Sequence, residues 1–432
     1  MKNAIERRVD RLAALWNDAA SDPGMRLFCW RCDLDEQRLL GIFTELEHEE
    51  VAQTPGSFIR LVSPFSTLQG YASVLATELA AQYEAGREDL RKDGLFAAWQ
   101  PPDRMEEESP GQHLLRVADS LRAAYADTVQ LLVLCLEPGT IADDAAWRRW
   151  VESLVQAEIP ARLRFMVVDP IDSPRLAGLE TERPDRVRLI EPRLDMPAAL
   201  DELARSEGEE GPAKTFRIHL VTLANAAGKG NTRLVEQAGA NGLAVARAEG
   251  WADQEVVVLM SLAAARLGAA DFDGAAKGYR EAVAAARRAG EGGHPAAAKL
   301  ELSAGMGLGS ALLAESRWPE AARIYEACVP LASKADDGMM VLESWRMAAH
   351  CHEQARADRE AWRCGEHALA AGEALPADQR RSSTLPWVGQ TMLRLLARYD
   401  GDTPQAVQVR RRLDGLLGPD WERALTPGEA AA

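Results

Sequence analysis

The stretch LAAARLGAADFDGAAKGYREAV, residues 262–283, returns in altered form 46 positions later as LGSALLAESRWPEAARIYEACV, residues 308–329. At matching places each copy carries an alanine and, four positions on, a tyrosine: Ala275 with Tyr279, and Ala321 with Tyr325. Two antiparallel helices approach closely only where small side chains face each other, and an aromatic ring then fills the gap toward the next pair. The pattern predicts a stack of helical hairpins.

The small position recurs through the whole second half of the chain, at Ala238, Ala275, Ala321, Ala361 and Ala406. This arrangement resembles the tetratricopeptide repeat, which has leucine and a small residue in its first helix and alanine and an aromatic in its second. The resemblance implies an all-α solenoid of about five hairpins over residues 214–425. Other α-hairpin arrays are the alternative. Gly365 and Arg410 replace the aromatic in the last two units, and a polar residue suits a terminal unit.

The first half alternates apolar runs with amphipathic helical patterns. Five runs are predicted as strands: Leu27–Cys32, Phe58–Val62, Val129–Leu136, Arg164–Val168 and Val187–Ile190. Such alternation predicts a mostly parallel sheet with helices on both faces, an α/β domain over residues 1–205. The acidic, glycine-bearing text SEGEEGPA at 206–213 is predicted to be a linker.

The formal charge of −16 is concentrated in the first half, where residues 1–213 hold 24 Lys/Arg against 39 Asp/Glu. Nucleic-acid binding normally requires a basic surface, so this balance argues against it. Six sparse cysteines suit reduced thiols, the longest apolar run is far short of a membrane span, and the N-terminus lacks a signal-type apolar core. We expect a cytoplasmic protein that binds another protein or peptide, with no membrane partner and no cofactor.

A nucleotide-binding sheet normally follows its first strand with a glycine-rich loop and a lysine that hold the phosphates. Here the first strand runs into CDLDEQR, and the nearest lysine motif, AAGKGNT at 226–232, lies between two helical patterns. The strand order and the apolar LLVLCLE at 131–137 nevertheless resemble the core of a signalling P-loop ATPase with helical repeats behind it. This resemblance implies a degenerate, non-hydrolysing relative.

A Cys-x-x-Cys pair, Cys29 and Cys32, ends the first strand. A redox pair needs its first cysteine exposed at a helix N-terminus, whereas Cys29 lies inside an apolar run and the two side chains would point to opposite faces of a strand. We expect structural cysteines. Asp33 is then predicted to cap the following helix, with Glu36 closing a capping box.

A second resemblance concerns the acids that follow the strands. Asp33 with Asp35, Ser63 and the sequence DPID at 169–172 resemble the haloacid-dehalogenase-like phosphohydrolases. That resemblance would make Asp33 a nucleophile, Asp35 a general acid/base, Ser63 a phosphate ligand, and Asp169 with Asp172 magnesium ligands. The family's lysine has no clear counterpart, because Lys92 lies in a charged stretch. This enzyme is the alternative to a catalytically silent domain.

Polar residues and prolines end four of the strands, and the carboxyl edge of the sheet is predicted to carry Asp33, Glu137, Asp169 and Glu191. An acidic rim of this kind suits a metal ion or a basic partner. In the repeats, His350 and His352 flank Cys351 but lie on different faces of a helix, so they do not indicate a metal site.

Stacked hairpins curve, and their first helices line a concave groove that fits an extended peptide or a helix. By repeat position the groove is predicted to include Val257, Met260, Ala264, Ser303, Met306, Ser310, Glu343, Arg346, His350, Glu353 and Gln354. The predicted function is a protein-binding adaptor, scaffold or chaperone-like loading factor. The alternatives are the phosphohydrolase and a nucleotide-binding switch with an atypical phosphate site.

Overall fold

The computed structural model describes residues 2–47, 53–92, 94, 96–206, 208, 210–398, 404–419 and 421–422. The chain divides into two compact units, Met1–Leu203 and Ala204–Ala432. Positions 207 and 209 of the predicted linker, and residues 399–403 and 423–425 of the last predicted repeat, lie outside the described residues.

The first unit is an α/β domain in which strands alternate with helices. Its elements are α1 Ala4–Ala20, β1 Leu27–Cys32, α2 Leu34–Leu46, β2 Gly56–Leu61, α3 Tyr71–Lys92, α4 Pro110–Ala124, β3 Leu131–Leu136, α5 Asp144–Gln156, β4 Leu163–Pro170, α6 Leu179–Glu182, β5 Val187–Ile190 and α7 Met196–Ser206. The five strands form one sheet in the order β2-β3-β4-β1-β5, and every pair is parallel. The predicted fold class of this half is confirmed.

Each face of the sheet is covered by its own layer of helices. On one face, Trp16 of α1 lies 4.7 Å from the ring of Phe28 and 4.9 Å from that of Phe58, and Phe43 of α2 joins the same cluster. On the other face, α3, α4 and α5 pack against alternate residues of the same strands. Burial of both faces explains why the inner strands β3, β4 and β1 are mostly apolar along their length.

The structure moves several predicted boundaries. Strand β2 begins two residues earlier than predicted and β3 two residues later, while β4 continues through Asp169 and Pro170. Proline can end this strand because Pro170 pairs with Cys32 at the last position of the ladder, where no further donor is required. Helix α4 was not predicted, although Ser109 and Gln112 form a capping box around Pro110 at its start.

Within the described residues, the second unit is a run of helices paired as five hairpins. The pairs are α8 Pro212–Gly228 with α9 Thr232–Ala248, α10 Ala252–Gly268 with α11 Phe272–Glu291, α12 Ala297–Ala314 with α13 Trp318–Lys334, α14 Gly338–Gln354 with α15 Asp358–Ala374, and α17 Leu385–Ala397 with α18 Pro404–Leu417. The short helix α16, Ala377–Ser382, precedes the last pair. This is the tetratricopeptide-like solenoid that the repeat predicts.

The recurring small residues lie where helices approach most closely. The five recurring alanines are all buried, with at most 3% of their surface exposed. Glycine allows closer helix packing on α12. A Cβ at Gly307 would lie 2.3 Å from the ring of Tyr279, and one at Gly309 would lie 2.5 Å from the ring of Tyr325. Helix α12 therefore contacts the helix before it and the helix after it through glycine–aromatic contacts, which fix the spacing of the stack.

The turns inside the hairpins share one backbone geometry. After the first helix of each of the first four hairpins, one residue adopts a left-handed conformation: Gly230, Ala270, Ser316 and Arg356, with φ between 59° and 65°. The next amide then closes the helix end, as when Asp271 N donates to Arg266 O at 2.9 Å. The first four hairpins therefore connect their two helices in the same way.

We expect Gly309→Ala to lower the free energy of unfolding by about 2 kcal/mol, because the new methyl group would overlap the buried ring of Tyr325. Chemical denaturation followed by circular dichroism measures the change. The matched control is Gly268→Ala on α10, where a Cβ meets open space and should raise stability by up to about 1 kcal/mol. Equal effects at the two positions would contradict the close packing.

Candidate functional site

The predicted groove lies on the first helices of the hairpins. Successive first helices contact one another, α8 with α10, α10 with α12 and α14 with α17, and Ser344 Oγ of α14 reaches Met306 Sδ of α12 at 3.7 Å. Adjacent first helices therefore form a continuous inner row, and the side chains that face away from the hairpin cores line one surface.

The part of this surface on α10 and α12 is apolar and small. Met260 and Met306 are half-buried, whereas Ala264, Ser303 and Ser310 are exposed. Ser310 is satisfied locally, since its Oγ donates to Met306 O at 3.1 Å and lies 3.3 Å from Tyr325 Oη. Methionine side chains adapt to varied apolar partners, so this strip suits contact with another apolar surface.

The part on α14 is polar and already organised by internal contacts. Arg346 donates to both oxygens of Glu343, at 2.8 and 2.6 Å, and Thr384 Oγ1 donates to Glu343 at 2.7 Å. Burial by itself would raise the pKa of Glu343, but the bonds from Arg346 and Thr384 outweigh it and hold the pKa below its usual value. This carboxylate is therefore charged and fixed in position.

His350 lies half-buried beside this ion pair, with its ring 6.2 Å from that of Trp318 in an edge-to-face arrangement. Burial is the largest cause that lowers the pKa of His350, and Arg346 and Arg394 lower it further against the opposing charge of Glu353. The neutral imidazole is the form that this environment favours.

One predicted groove residue is placed elsewhere. Glu353 is only 2% exposed and accepts hydrogen bonds from Arg394 at 3.1 and 2.8 Å and from Arg398 at 3.3 Å. These arginines belong to the last hairpin, so Glu353 joins two repeats and presents little surface to a partner. Its neighbour Gln354 is exposed.

The acids of the phosphohydrolase alternative do not converge. Asp33 is exposed and accepts from Glu36 N at 2.8 Å as the cap of α2, while Asp35 is exposed and pairs with Arg38 at 2.9 Å. Asp169 is buried and accepts from the amides of Arg175 and Leu176 at 2.7 and 3.2 Å. Among the described residues, these three acids do not form a group that could hold a metal ion.

The remaining members of the predicted acidic rim are each paired with an arginine. Glu137 accepts from Arg60 at 3.1 and 2.8 Å, and Glu191 pairs with Arg193. Asp169 also accepts from Arg31 at 3.3 Å. Each carboxylate thus has a local cation or backbone donors, and the rim carries less free negative charge than the sequence suggests.

The two cysteines at the end of β1 lie on opposite faces of the sheet, as predicted. Cys29 belongs to the apolar cluster on one face and Cys32 to the cluster on the other. Burial is the main cause that raises the pKa of both thiols, that of Cys32 to about 12. Neither thiol has the exposed, lowered-pKa character of a redox cysteine.

A groove of about 540 Å³ lies beside the edge strand β2, and it was not predicted from the sequence. Its lining includes the apolar side chains of Leu79, Leu90 and Leu121, together with Arg60 and Tyr125. Helix α3 covers part of the strand edge, because Gln82 Nε2 donates to Arg60 O at 2.7 Å.

Sequence reasoning also missed a cluster inside the repeats. Glu326 of α13, His352 of α14 and Cys364 of α15 bring one carboxylate oxygen, one ring nitrogen and one sulfur within 4.8 Å of one another. Burial is the main cause that raises the pKa of Cys364 to about 12, whereas hydrogen bonds from His352, Cys364 and Arg363 overcome burial and lower the pKa of Glu326. These residues lie 12 to 38 positions apart in the chain.

Comparison with solved structures gives similarities at low sequence identity, two of which are described below. No protein-family model matches the chain, and no curated protein matches it either. The crystal structure of BtubC (BKLC) from P. vanneervenii aligns at 15% identity with a TM-score of 0.41, covering 55% of this chain and 94% of that one. Aspartyl phosphate phosphatase F from Bacillus subtilis aligns at 10% identity with a TM-score of 0.38, covering 96% and 85%.

None of the described helices combines the length and the apolar character that a bilayer crossing requires.

We expect Glu353→Ala to lower the free energy of unfolding of the second unit by about 2 kcal/mol, because it leaves Arg394 and Arg398 without their shared carboxylate. Both arginines are partly exposed, which keeps the loss below that of a fully buried pair. The control is Gln354→Ala, because Gln354 is the next residue and is exposed. It should change the free energy of unfolding by less than about 0.5 kcal/mol. Similar losses from both substitutions would contradict the assignment of Glu353 to the repeat interface.

The lowered pKa of His350 predicts a dependence of stability on pH. Below about pH 6.5 the unfolded chain takes up a proton at this histidine before the folded chain does, so stability should fall as the pH drops toward the lower folded pKa. Denaturation midpoints measured between about pH 7.5 and 5.5 should decline less steeply in His350→Gln than in the natural sequence. Identical slopes would show that the environment of His350 does not oppose its charging.

Proposed function

We propose that this protein is an adaptor whose second unit binds another protein through the inner face of its helical hairpins. The observation that carries the proposal is the strip formed by Met260 and Ala264 on α10 with Ser303 and Met306 on α12, none of which is charged. A helix face of this kind is the surface that repeat solenoids offer to an extended segment or a helix.

The groove is apolar on α10 and α12 and charged on α14. This change in polarity indicates the chemistry of a matching partner. The strip on α10 and α12 is apolar, whereas Glu343 and Arg346 on α14 are charged and held by each other. A matching segment has an apolar stretch followed by a charged or hydrogen-bonding one. Because Glu343 and Arg346 are already paired, they contribute orientation and specificity more than affinity.

We further propose that the first unit is catalytically silent and is a degenerate relative of the P-loop ATPases. Its parallel sheet leaves a single residue, Asp33, between β1 and α2. In a nucleotide-binding domain a phosphate occupies the amides at this helix start. Here the carboxylate of Asp33 accepts from Glu36 N at 2.8 Å, and Glu36 in turn accepts from Asp33 N at 3.3 Å, so the helix start is capped by the chain's own acids.

We expect Ala264→Glu to weaken partner binding at least about tenfold, because a charge on the apolar strip must be desolvated when the partner docks. Ala284→Glu on α11 makes the same substitution at an exposed helical alanine on the other helix of the same hairpin, and should leave affinity unchanged. The partner is first captured from the source cell with a photo-crosslinker at Ser303, and its affinity for the purified variants is then measured by calorimetry.

The crosslinker at Arg323, an exposed position on α13, is the control for capture. Capture that is equal at Ser303 and Arg323, or an affinity that Ala264→Glu and Ala284→Glu change alike, would contradict binding through the inner face.

A further inference from the structure

Three side chains from consecutive helices meet between the third and fourth hairpins. The Glu326 carboxylate on α13 lies 3.1 Å from His352 Nε2 on α14 and 3.3 Å from Cys364 Sγ on α15. Cys364 is fully buried, and the side chains of His352 and Glu326 are 15% and 30% exposed. One sulfur, one nitrogen and one oxygen therefore meet in the same small space, and the partial exposure of Glu326 and His352 gives it access to solvent.

These separations fit the geometry of a four-coordinate transition-metal ion. Bonds of about 2.0 Å to nitrogen and oxygen and 2.3 Å to sulfur give ligand-to-ligand distances of roughly 3.3 to 3.7 Å around a tetrahedron. The nitrogen–oxygen distance of 3.1 Å lies just below that range, the sulfur–oxygen distance of 3.3 Å lies at its short end, and the nitrogen–sulfur distance is at most 4.8 Å. Side-chain shifts that bring the nitrogen and sulfur atoms to about 3.5 Å from each other would complete three corners.

The donor set and its charge select the ion. A thiolate, an imidazole and a carboxylate together are typical ligands of zinc and its neighbours and not of magnesium or calcium, which require oxygen ligands. A thiolate and a carboxylate carry two negative charges, which a divalent ion neutralises in a largely buried space. The ion replaces the thiol proton of Cys364, which leaves to solvent.

Arg363 also contacts the cluster, and its guanidinium donates to the same Glu326 oxygen at 2.6 Å. Its side chain is 47% exposed, so it has room to move. A carboxylate has two oxygens, and Glu326 can bind an ion through one while Arg363 hydrogen-bonds the other. Hydrogen-bonding partners of this kind commonly orient metal ligands.

We propose that Glu326, His352 and Cys364 form a binding site for a zinc-class divalent ion, with three protein ligands and a fourth position open to water. The site joins α13 to α14 and α15, and the ion would cross-link the third hairpin to the fourth. Because both hairpins contribute to the proposed protein-binding surface, ion binding fixes the relation between its apolar and its charged part. The site is nevertheless independent of that proposal, since it requires only these three ligands.

Cobalt titration of the full chain, purified with chelator, tests the site directly. We expect one equivalent of Co²⁺ to produce the thiolate-to-cobalt charge-transfer band and the intense visible bands of four-coordinate cobalt, and Zn²⁺ to abolish both. Cys364→Ala should remove the charge-transfer band, and His352→Gln should weaken cobalt binding at least about 100-fold. Zn²⁺ should raise the thermal unfolding midpoint of the natural sequence and of neither variant.

Cys328→Ala is the matched control. Like Cys364, Cys328 is a buried cysteine, and it lies on α13, two positions after Glu326. It should retain both bands. The absence of a charge-transfer band in the folded natural chain, or its persistence in Cys364→Ala, would overturn the site. Circular dichroism establishes that each variant is folded; if Cys364→Ala is not, undiminished cobalt affinity in His352→Gln overturns the proposal by itself.

Discussion

The second unit depends on how closely helix α12 approaches the helices on either side of it. Gly307 leaves room for the ring of Tyr279 on the preceding hairpin, and Gly309 leaves room for Tyr325 within its own hairpin. Because each ring occupies the space that a side chain would otherwise take, the helices have one spacing and one register. The same left-handed turn recurs inside the first four hairpins. The inner face of the solenoid depends on this regular geometry.

The first unit is organised differently, by burial of both faces of a parallel sheet. Its apolar residues are divided between two helical layers, while the polar residues at the carboxyl edge are satisfied by their own neighbours: Asp33 by the α2 amides, Glu137 by Arg60 and Asp169 by Arg31 and backbone donors. A ligand at this edge would have to displace existing hydrogen bonds. We therefore propose the binding function for the helical repeats, where half-buried Met260 and Met306 and exposed Ala264 have no ion pairs to displace.

Prediction from the sequence reached those features that depend on local periodicity. The five strands, the five hairpins, the buried alanines, the Asp33 capping box and the opposite faces of Cys29 and Cys32 all follow from spacing within one or two elements. Prediction was less accurate where a partner lies far away in the chain. From its repeat position, Glu353 was predicted to lie in the groove. In the structure it accepts hydrogen bonds from Arg394 and Arg398, more than 40 residues later, and lies between repeats.

The sequence by itself determined the two architectures, a parallel α/β sheet and a stack of helical hairpins. Both depend on hydrophobic periodicity, helix caps and small residues, which act over a few positions. Only the tertiary structure decided which polar groups meet. His352 looked isolated beside Cys351, and its neighbours are Glu326 and Cys364, at separations of 26 and 12 residues. Such contacts are set by how two hairpins stack, through rotations of helices that alter which side chains face each other without altering the helical pattern of either sequence.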